Sequence, residues 1–257
     1  MPSNKATILV TNDDGIYAPG IEHLRRALDG LGDIIVVAPL IEKSAVGHAI
    51  TISDPLRVME IERNGRFFGY AVNGTPADCV KLGVQCLLQR KPDLIVSGIN
   101  LGPNTATNII YSGTVSAAAE GTIMGFPAMA VSLTSFTKKE FAFAAKIARH
   151  LSKEILRRGL PEGTLLNVNV PALPEKDIKD IIITRQGKGR YQEAFDKRID
   201  PNHRTYYWLT GKKMQLDTDP DVDDLAVMQN NVSITPIHYD LTNYQFLEEL
   251  SKWNIKP

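Results

Sequence analysis

Short apolar runs alternate with segments of helical periodicity through the first two-thirds of the chain. This order is typical of βα units that wrap around a parallel sheet. The predicted strands are residues 7–11, 34–38, 94–97, 128–133 and 165–170. The predicted helices between them are residues 21–31, 78–88, 115–124 and 139–158. We therefore predict an α/β fold with a Rossmann-like, three-layer core and a mainly parallel sheet.

Two parts of the chain depart from this alternation. Residues 49–72 alternate β-type side chains around Asn64-Gly65, a strong hairpin signal, so we predict an inserted or edge β-hairpin. After Pro171 the chain is polar and rich in glycine and tyrosine, apart from a short apolar strand at residues 181–184. We expect residues 1–185 to form the Rossmann-like core. Residues 186–257 are expected to form a C-terminal extension, a β-arm and a helix, that returns to pack on the core.

The extension concentrates its aromatic side chains in Tyr206-Tyr207-Trp208-Leu209. Too few other apolar residues surround this segment for it to form a core of its own. It is expected to pack either on the sheet of its own chain or on a neighbouring subunit. We favour the neighbouring subunit, because a protruding β-arm is a low-cost route to a dimer.

The 257 residues contain 29 Lys plus Arg and 29 Asp plus Glu. This balance provides no overall basic surface for duplex nucleic acid or an anionic membrane. No apolar run has transmembrane length, and residues 1–5 lead into a strand rather than a secretory segment. Cys79 and Cys86 lie roughly 10 Å apart along a predicted helix and cannot form a disulfide with each other. We expect a cytoplasmic protein.

Asp13 and Asp14 follow the first predicted strand and precede Gly15. In a parallel sheet this position lies at the carboxyl edge, where ligands bind. Two buried neighbouring carboxylates need a shared proton, a basic partner or a cation, and no Lys or Arg lies between Thr7 and Leu24. Hard oxygen ligands of this type suit Mg²⁺, Mn²⁺ or Ca²⁺. The segment alone leaves two interpretations open, a divalent-metal site and an Asx turn that caps the next helix.

Two further loops are expected at the same edge of the sheet. Asn100 lies in the glycine-rich loop after the strand at residues 94–97, and Asn104 follows it. The Asn100 amide oxygen suits a hard cation, although Asn and Gly are also common in ordinary turns. Ser44, in the loop after the second strand, is a candidate for a metal ligand or a phosphate contact. His48 in the same loop is either an acid–base group or, as we favour, a structural histidine.

Ser112, Gly113 and Thr114 directly precede the small-residue helix at residues 115–124. Their hydroxyls, with the free N–H groups and the positive end of the helix dipole, suit a phosphate. Simple N-capping by Ser or Thr is the rival interpretation and needs no ligand. A cap formed by Thr75 or Asp78 is also predicted for the helix that carries both cysteines.

Several functional classes lack their usual motifs. The chain has no Walker A sequence and no Gly-x-Ser-x-Gly nucleophile elbow, and the loop at residues 98–102 does not match the dinucleotide-binding pattern. A signalling receiver domain also carries an acidic pair after its first strand, but it needs a phosphate-accepting Asp at the end of another strand. The corresponding strand here ends in Ser97-Gly98-Ile99-Asn100. These observations disfavour four classes of protein: ATP-driven enzymes, hydrolases with a nucleophile elbow, NAD-dependent enzymes and signalling receiver domains.

Four ordered motifs together resemble those of the SurE family, the survival-protein nucleotidases. They are Val10-Thr11-Asn12-Asp13-Asp14-Gly15, Ser44-x-x-Gly47-His48, Ser97-Gly98-Ile99-Asn100-x-Gly102-x-Asn104 and Tyr111-Ser112-Gly113-Thr114. The likeness extends through residues 74–80 and 232–236, and so over most of the chain. It is weakest at residues 190–220, which contain the expected arm.

The resemblance implies a metal-dependent phosphatase that hydrolyses nucleoside 5′- and 3′-monophosphates, with activity on short polyphosphate left open. It implies one divalent cation per subunit, Mg²⁺ or Mn²⁺, bound by Asp13, Asp14, Ser44 and Asn100. The candidates for holding the phosphate or the substrate are Asn104, Ser112, Gly113 and Thr114. The candidates for positioning or activating the attacking water are Asp13 and Asn12.

The resemblance also implies homodimers, and tetramers in some cases, through a C-terminal arm exchanged between subunits. Two alternatives remain open for the chemistry. Asp14 is a candidate nucleophile that would form an aspartyl-phosphate, instead of direct attack by water. The same pocket is also compatible with a module that binds nucleotides without turnover.

Overall fold

The computed structural model describes residues 5–255. Residues 1–4, on which the expectation about a secretory segment partly rests, lie outside the described residues. The strands are β1 Ala6–Thr11, β2 Gly32–Pro39, β3 Val58–Arg63, β4 Arg66–Val72, β5 Leu94–Leu101, β6 Ala128–Leu133, β7 Thr164–Val170, β8 Ile181–Ile183, β9 Arg190–Ile199, β10 Thr205–Met214 and β11 Val232–His238. The α-helices are α1 Pro19–Leu28, α2 Pro76–Leu82, α3 Gly113–Ile123, α4 Ala142–Arg158, α5 Asp223–Met228 and α6 Tyr244–Leu250.

Nine of the described strands form one sheet in the order β3-β4-β2-β1-β5-β6-β7-β11-β8. The five strands from β2 to β7 in this order run parallel, and β4 is parallel to β2. β3 is antiparallel to β4, and β11 is antiparallel to β7. The central strands β1, β5 and β6 are buried almost throughout, as expected for parallel strands covered on both faces. The prediction of a mainly parallel sheet is confirmed.

Helices cover both faces of this sheet and produce three layers. On one face the apolar sides of α1 and α4 pack together, with Leu24 and Ile147 in the same core cluster. On the other face α2 and α3 pack together around residues such as Cys79 and Ala117. Helix α3 lies close to the sheet, since a Cβ added at Gly121 would come within 2.7 Å of the Ile95 side chain. Gly121, in the last turn of α3, therefore allows this helix to lie directly against β5.

The predicted edge hairpin is present as β3 and β4. Asn64 and Gly65 join its strands with positive φ angles of 53° and 68°, the conformation that a two-residue hairpin turn requires. The predicted helix at residues 78–88 is shorter than expected. It ends at Leu82 and continues as one π-helical turn, Gly83–Leu87.

The C-terminal segment contributes to the core and also forms a separate ribbon. β11 lies in the main sheet between β7 and β8, and it pairs with both. β9 and β10 form a two-stranded antiparallel ribbon outside that sheet. Tyr207, Trp208 and Leu209 on β10 are each more than half exposed. The ribbon therefore presents the aromatic segment instead of burying it in the same chain.

Candidate active site

The carboxyl ends of β1, β2 and β5 meet the start of α3 at one edge of the sheet. A cleft of about 670 Å³ opens there. Its lining includes five residues singled out from the sequence, Asp13, Ser44, Asn100, Asn104 and Ser112. Asn12 and Asp14 flank Asp13, and Gly113 and Thr114 begin α3 directly after Ser112, but these four residues are outside the lining. The structure thus brings all four sequence motifs to one place, as the parallel topology predicts.

Asp13 is held by two other segments of the chain, the loop after β2 and the start of α3. Its side chain accepts a hydrogen bond from the Thr114 hydroxyl, and its backbone oxygen accepts one from the Lys43 N–H at 2.7 Å. Gly113 lies so close that an added Cβ would come within 2.7 Å of the Asp13 Cβ. Only glycine fits at this position, because any larger side chain would displace the carboxylate. Gly113 thus shapes the site through its lack of a side chain.

Both carboxylates of the acidic pair lie in surroundings that disfavour their charge. Burial raises the pKa of Asp13 above its ordinary value. Burial, with the charge of Asp13 as a second cause, raises the pKa of Asp14 to about 7. No Lys or Arg is among the groups that shift either pKa. A bound cation would supply the positive charge that the surrounding side chains do not.

The oxygen atoms around the pair are oriented by hydrogen bonds. The Asn100 amide nitrogen donates to the Gly102 backbone oxygen at 2.8 Å, which leaves the amide oxygen as the other polar atom. One Asp14 oxygen accepts from the Leu101 N–H at 3.2 Å. The Ser44 hydroxyl donates to a Glu42 carboxylate oxygen at 2.6 Å, so its own lone pairs stay available.

These donors are carboxylate, amide and hydroxyl oxygens, which fit Mg²⁺ or Mn²⁺ better than metals that prefer thiolate. Across residues 5–255, no group of three or more His, Cys, Asp or Glu side chains is arranged to hold a metal ion. A cation at this edge would therefore depend on Asn100 and Ser44 as well as on the two aspartates. Asn12 lies beside them with its Oδ1 atom buried and without a hydrogen-bond partner, while its amide nitrogen donates to the Gly15 oxygen at 3.0 Å.

Two hydroxyls at the start of α3 already have protein partners. The Ser112 hydroxyl oxygen accepts from the Val115 N–H at 3.1 Å and caps the helix. The Thr114 hydroxyl donates to Asp13. N-capping, the rival interpretation from the sequence, is therefore correct for Ser112. It does not exclude an anion, because capping uses a lone pair of the oxygen and leaves the hydroxyl proton to donate.

His48 does not line the cleft. Its Nε2 atom lies 2.8 Å from one oxygen of Glu120, a buried residue of α3, and Lys81 lies 2.6 Å from the other oxygen. Burial alone would raise the pKa of Glu120, but the hydrogen bonds from His48 and Lys81 lower it. This arrangement favours the structural interpretation of His48, which ties the Ser44 loop to α3.

The predicted cap of the cysteine-bearing helix is confirmed. The Thr75 hydroxyl accepts from the Asp78 N–H, and the Asp78 carboxylate accepts from the Thr75 N–H. Asp78 also accepts two hydrogen bonds from Thr51. Asp78 therefore has a structural role that accounts for its burial without catalysis.

Sequence reasoning missed several residues of the site. Glu42 is one of them, and its position two residues before Ser44 was a usable signal. Asn104, which the sequence did single out, is held in a buried network, where its amide nitrogen donates to Ser132 and its backbone N–H donates to Asn169. The other missed residues of the cleft wall carry no comparable local signal, and they are Phe136, Tyr191, Glu193, Thr210 and Gly211.

Comparison with known proteins agrees with the family resemblance of the four motifs. Residues 8–193 match the family described as Survival protein SurE. The chain is 52% identical over 248 residues to the 5′-nucleotidase SurE of Syntrophobacter fumaroxidans, covering 96% of this chain and 99% of that protein. The chain belongs to the SurE family. It is also 52% identical over 247 residues to the 5′-nucleotidase SurE of Moorella thermoacetica, covering 96% of this chain and 95% of that one.

A solved structure extends the agreement to the fold. The crystal structure of the SurE protein from Aquifex aeolicus superposes with a TM-score of 0.84 at 44% identity, covering 95% of this chain and 98% of that chain. The SurE match over residues 8–193 contains every residue singled out for the site. The resemblance inferred from the four motifs is therefore confirmed at the level of the family.

Proposed function

We propose that this chain is a metal-dependent 5′/3′-nucleotidase that hydrolyses nucleoside 5′- and 3′-monophosphates to nucleoside and phosphate. The observation that carries the proposal is the uncompensated acidic pair at a cleft that also contains the start of α3. Relatives that are half identical along nearly the whole chain bear the name 5′-nucleotidase SurE, which supports the same substrate class. Short polyphosphate is a further substrate to be tested.

The residues present fit one divalent cation, Mg²⁺ or Mn²⁺. In this proposal Asp13, Asp14, Ser44 and Asn100 hold it through oxygen atoms. When bound, the cation supplies Lewis-acid chemistry that polarises a phosphate. The raised pKa of Asp14, about 7, supports the assignment, because two carboxylates in this position are stable as anions only beside a positive charge.

The start of α3 is proposed to hold the phosphate. Ser112, Gly113 and Thr114 lie where the N–H groups and the positive end of the helix dipole attract an anion. Asn104 lines the same cleft and is proposed as a further substrate contact. Because Gly113 contacts Asp13, a phosphate at this helix start would lie next to the acidic pair.

Asp13 and Asn12 are proposed to act on the attacking water. One Asp13 oxygen accepts from Thr114, which leaves the lone pairs of the other oxygen for the cation and for the proton of the water. The buried and unpaired Asn12 Oδ1 atom is an acceptor that can orient the same water. Rapid quench with labelled substrate tests the alternative, since a trapped phosphoenzyme would assign Asp14 as nucleophile instead.

We also propose a homodimer, with a tetramer as the larger alternative, formed through the β9–β10 ribbon. The exposed Trp208 and its neighbours support this proposal, because large aromatic side chains are enriched at interfaces. Cys79 and Cys86 are free thiols, which suits the reducing cytoplasm as the proposed location.

The activity is tested by phosphate release from AMP and from 3′-AMP with Mn²⁺ or Mg²⁺, and again after addition of a chelator. We expect metal-dependent release that Asp13→Asn reduces by at least two orders of magnitude. Asp54→Asn, at an exposed loop position, is the matched control and should keep the activity. Binding of AMP without turnover under every metal condition would instead favour a nucleotide-binding module.

A further inference from the structure

A second cleft, of about 420 Å³, lies between α1 and the tip of the β3–β4 hairpin. It shares no lining residue with the cleft at Asp13. Four arginines line it, Arg25 and Arg26 on α1 and Arg63 and Arg66 on the hairpin. Glu22 is its acidic residue. The lining therefore carries a net charge of three positive units in a chain whose overall charge is zero.

Glu22 does not neutralise the whole cluster. It forms ion pairs with Arg26 and, at 2.7 Å, with Arg63. The nearest carboxylate to Arg25 is that of Asp29, at 3.7 Å on the exposed side of α1. Arg66 forms no ion pair with any residue in the described range 5–255. Arg66 is exposed, and Arg25, whose side chain is 33% exposed, has only the long contact with Asp29, so both guanidinium groups are available to an anion.

One arginine of the cleft is held rigidly. The Arg63 guanidinium lies 4.0 Å from the centre of the Phe68 ring and donates to the Ile16 backbone oxygen at 2.6 Å. Its second nitrogen donates to Glu22 at 2.7 Å. A guanidinium fixed in this way loses little conformational entropy when it binds a ligand.

An aromatic ring lies beside the charged groups. Phe67 follows Arg66 on β4 and is 49% exposed. Its ring is fixed by an edge contact with Tyr70, with the two ring centres 5.1 Å apart. Guanidinium groups bind phosphate oxygens in a bidentate manner, and an exposed ring stacks on a planar base. The combination matches a ligand with phosphates at one end and an aromatic ring at the other.

We propose that this second cleft binds a phosphorylated anion of the nucleoside polyphosphate class, with Arg25 and Arg66 on the phosphates and Phe67 on the base. The inference goes beyond the nucleotidase activity, because the cleft is separate from the acidic pair. A volume of about 420 Å³ is within the range of small-molecule sites.

Arg63 connects the second cleft to the turn that carries Asp13 and Asp14. The Ile16 oxygen that accepts from Arg63 lies two residues after Asp14, and the Ile16 N–H donates to the Pro39 oxygen at 2.8 Å. A phosphate on Arg25 and Arg66 lies in the same cleft as Glu22, the carboxylate that accepts from Arg63, and therefore changes this hydrogen-bond network. Binding in the second cleft therefore alters the stability of the turn that carries Asp13 and Asp14.

The site is tested on the full chain by isothermal titration calorimetry with the non-hydrolysable adenosine 5′-(β,γ-imido)triphosphate. The buffer contains a chelator and about 0.1 M salt. We expect the nucleotide to bind the second cleft of Arg25→Ala/Arg66→Ala at least ten-fold more weakly, as a rise in the Kd of one set of sites. The matched control is Arg157→Ala/Arg158→Ala, which removes two exposed arginines of α4 outside the cleft. Identical isotherms for the cleft variant and the control overturn the proposal.

The coupling is tested by hydrogen exchange of the peptide that spans residues 12–20. The same nucleotide should change the exchange rate of this peptide at least two-fold in the control Arg157→Ala/Arg158→Ala. Its effect should be smaller in Arg25→Ala/Arg66→Ala. An equal effect in both variants assigns the change to the catalytic cleft and overturns the coupling. AMP hydrolysis without added effector should be the same in both variants, which shows that each is folded.

Discussion

Replacing Asp14 by asparagine tests the physical basis of the proposed metal site most directly. The pKa of Asp14 is raised from 3.8 to about 7, chiefly by burial. A shift of about three pKa units corresponds to about 4 kcal/mol of lost stability when the group is charged in the folded state. Asparagine keeps an oxygen for the Leu101 N–H, and it removes the charge.

The sign of the pH dependence follows from the raised pKa. Between pH 3.8 and about 7 the folded state keeps the proton on Asp14 while the unfolded state has lost it, so stability falls as the pH rises. The penalty is complete above pH 7. Without metal, Asp14→Asn should therefore be more stable than the unsubstituted chain, and its advantage should grow by about 2–3 kcal/mol from pH 5 to pH 8.5.

Urea unfolding at the two pH values, with chelator present, measures this difference. Adding Mn²⁺ at pH 8.5 should stabilise the unsubstituted chain and leave Asp14→Asn almost unchanged, because ligand binding stabilises only the state that binds it. A variant that is less stable than the unsubstituted chain at both pH values would refute the reasoning. So would a stabilisation by Mn²⁺ of equal size in both chains.

Three further predictions concern the neighbours of the pair. Gly113→Ala places a methyl group 2.7 Å from the Asp13 Cβ. The free energy of unfolding should fall by about 1–3 kcal/mol, and AMP hydrolysis should be greatly reduced. An unchanged midpoint of unfolding would contradict the close approach. Glu42→Ala removes the acceptor of the Ser44 hydroxyl and should weaken Mn²⁺ binding about ten-fold in calorimetry, whereas Glu42→Gln keeps an acceptor and should have a smaller effect. Glu120→Ala leaves His48 and Lys81 without their acidic partner and should lower the free energy of unfolding by about 1–3 kcal/mol. A loss below about 0.5 kcal/mol would show that water replaces the Glu120 carboxylate.

The local pattern of the sequence was sufficient for the central strands and for the edge hairpin. A parallel strand covered on both faces is a continuous apolar run, which is how β1 and β5 were found. Asn64-Gly65 predicted a turn because these residues tolerate the positive φ that the hairpin needs. The candidate site could be located for a related reason, since residues that follow parallel strands meet at one edge of the sheet.

The sequence by itself therefore determined the fold class, the family and the loops that meet at the cleft. Only the tertiary structure decided that β11 enters the sheet between β7 and β8, that the β9–β10 ribbon walls the cleft, and that Glu120 joins His48 to Lys81. The physical reason is the range of the interactions. Periodicity and turn residues act within a few positions, whereas these contacts join segments far apart in the chain and depend on the order of the strands. The acidic pair was visible in the sequence, but only the structure showed that no Lys or Arg within residues 5–255 is among the groups that shift its pKa values.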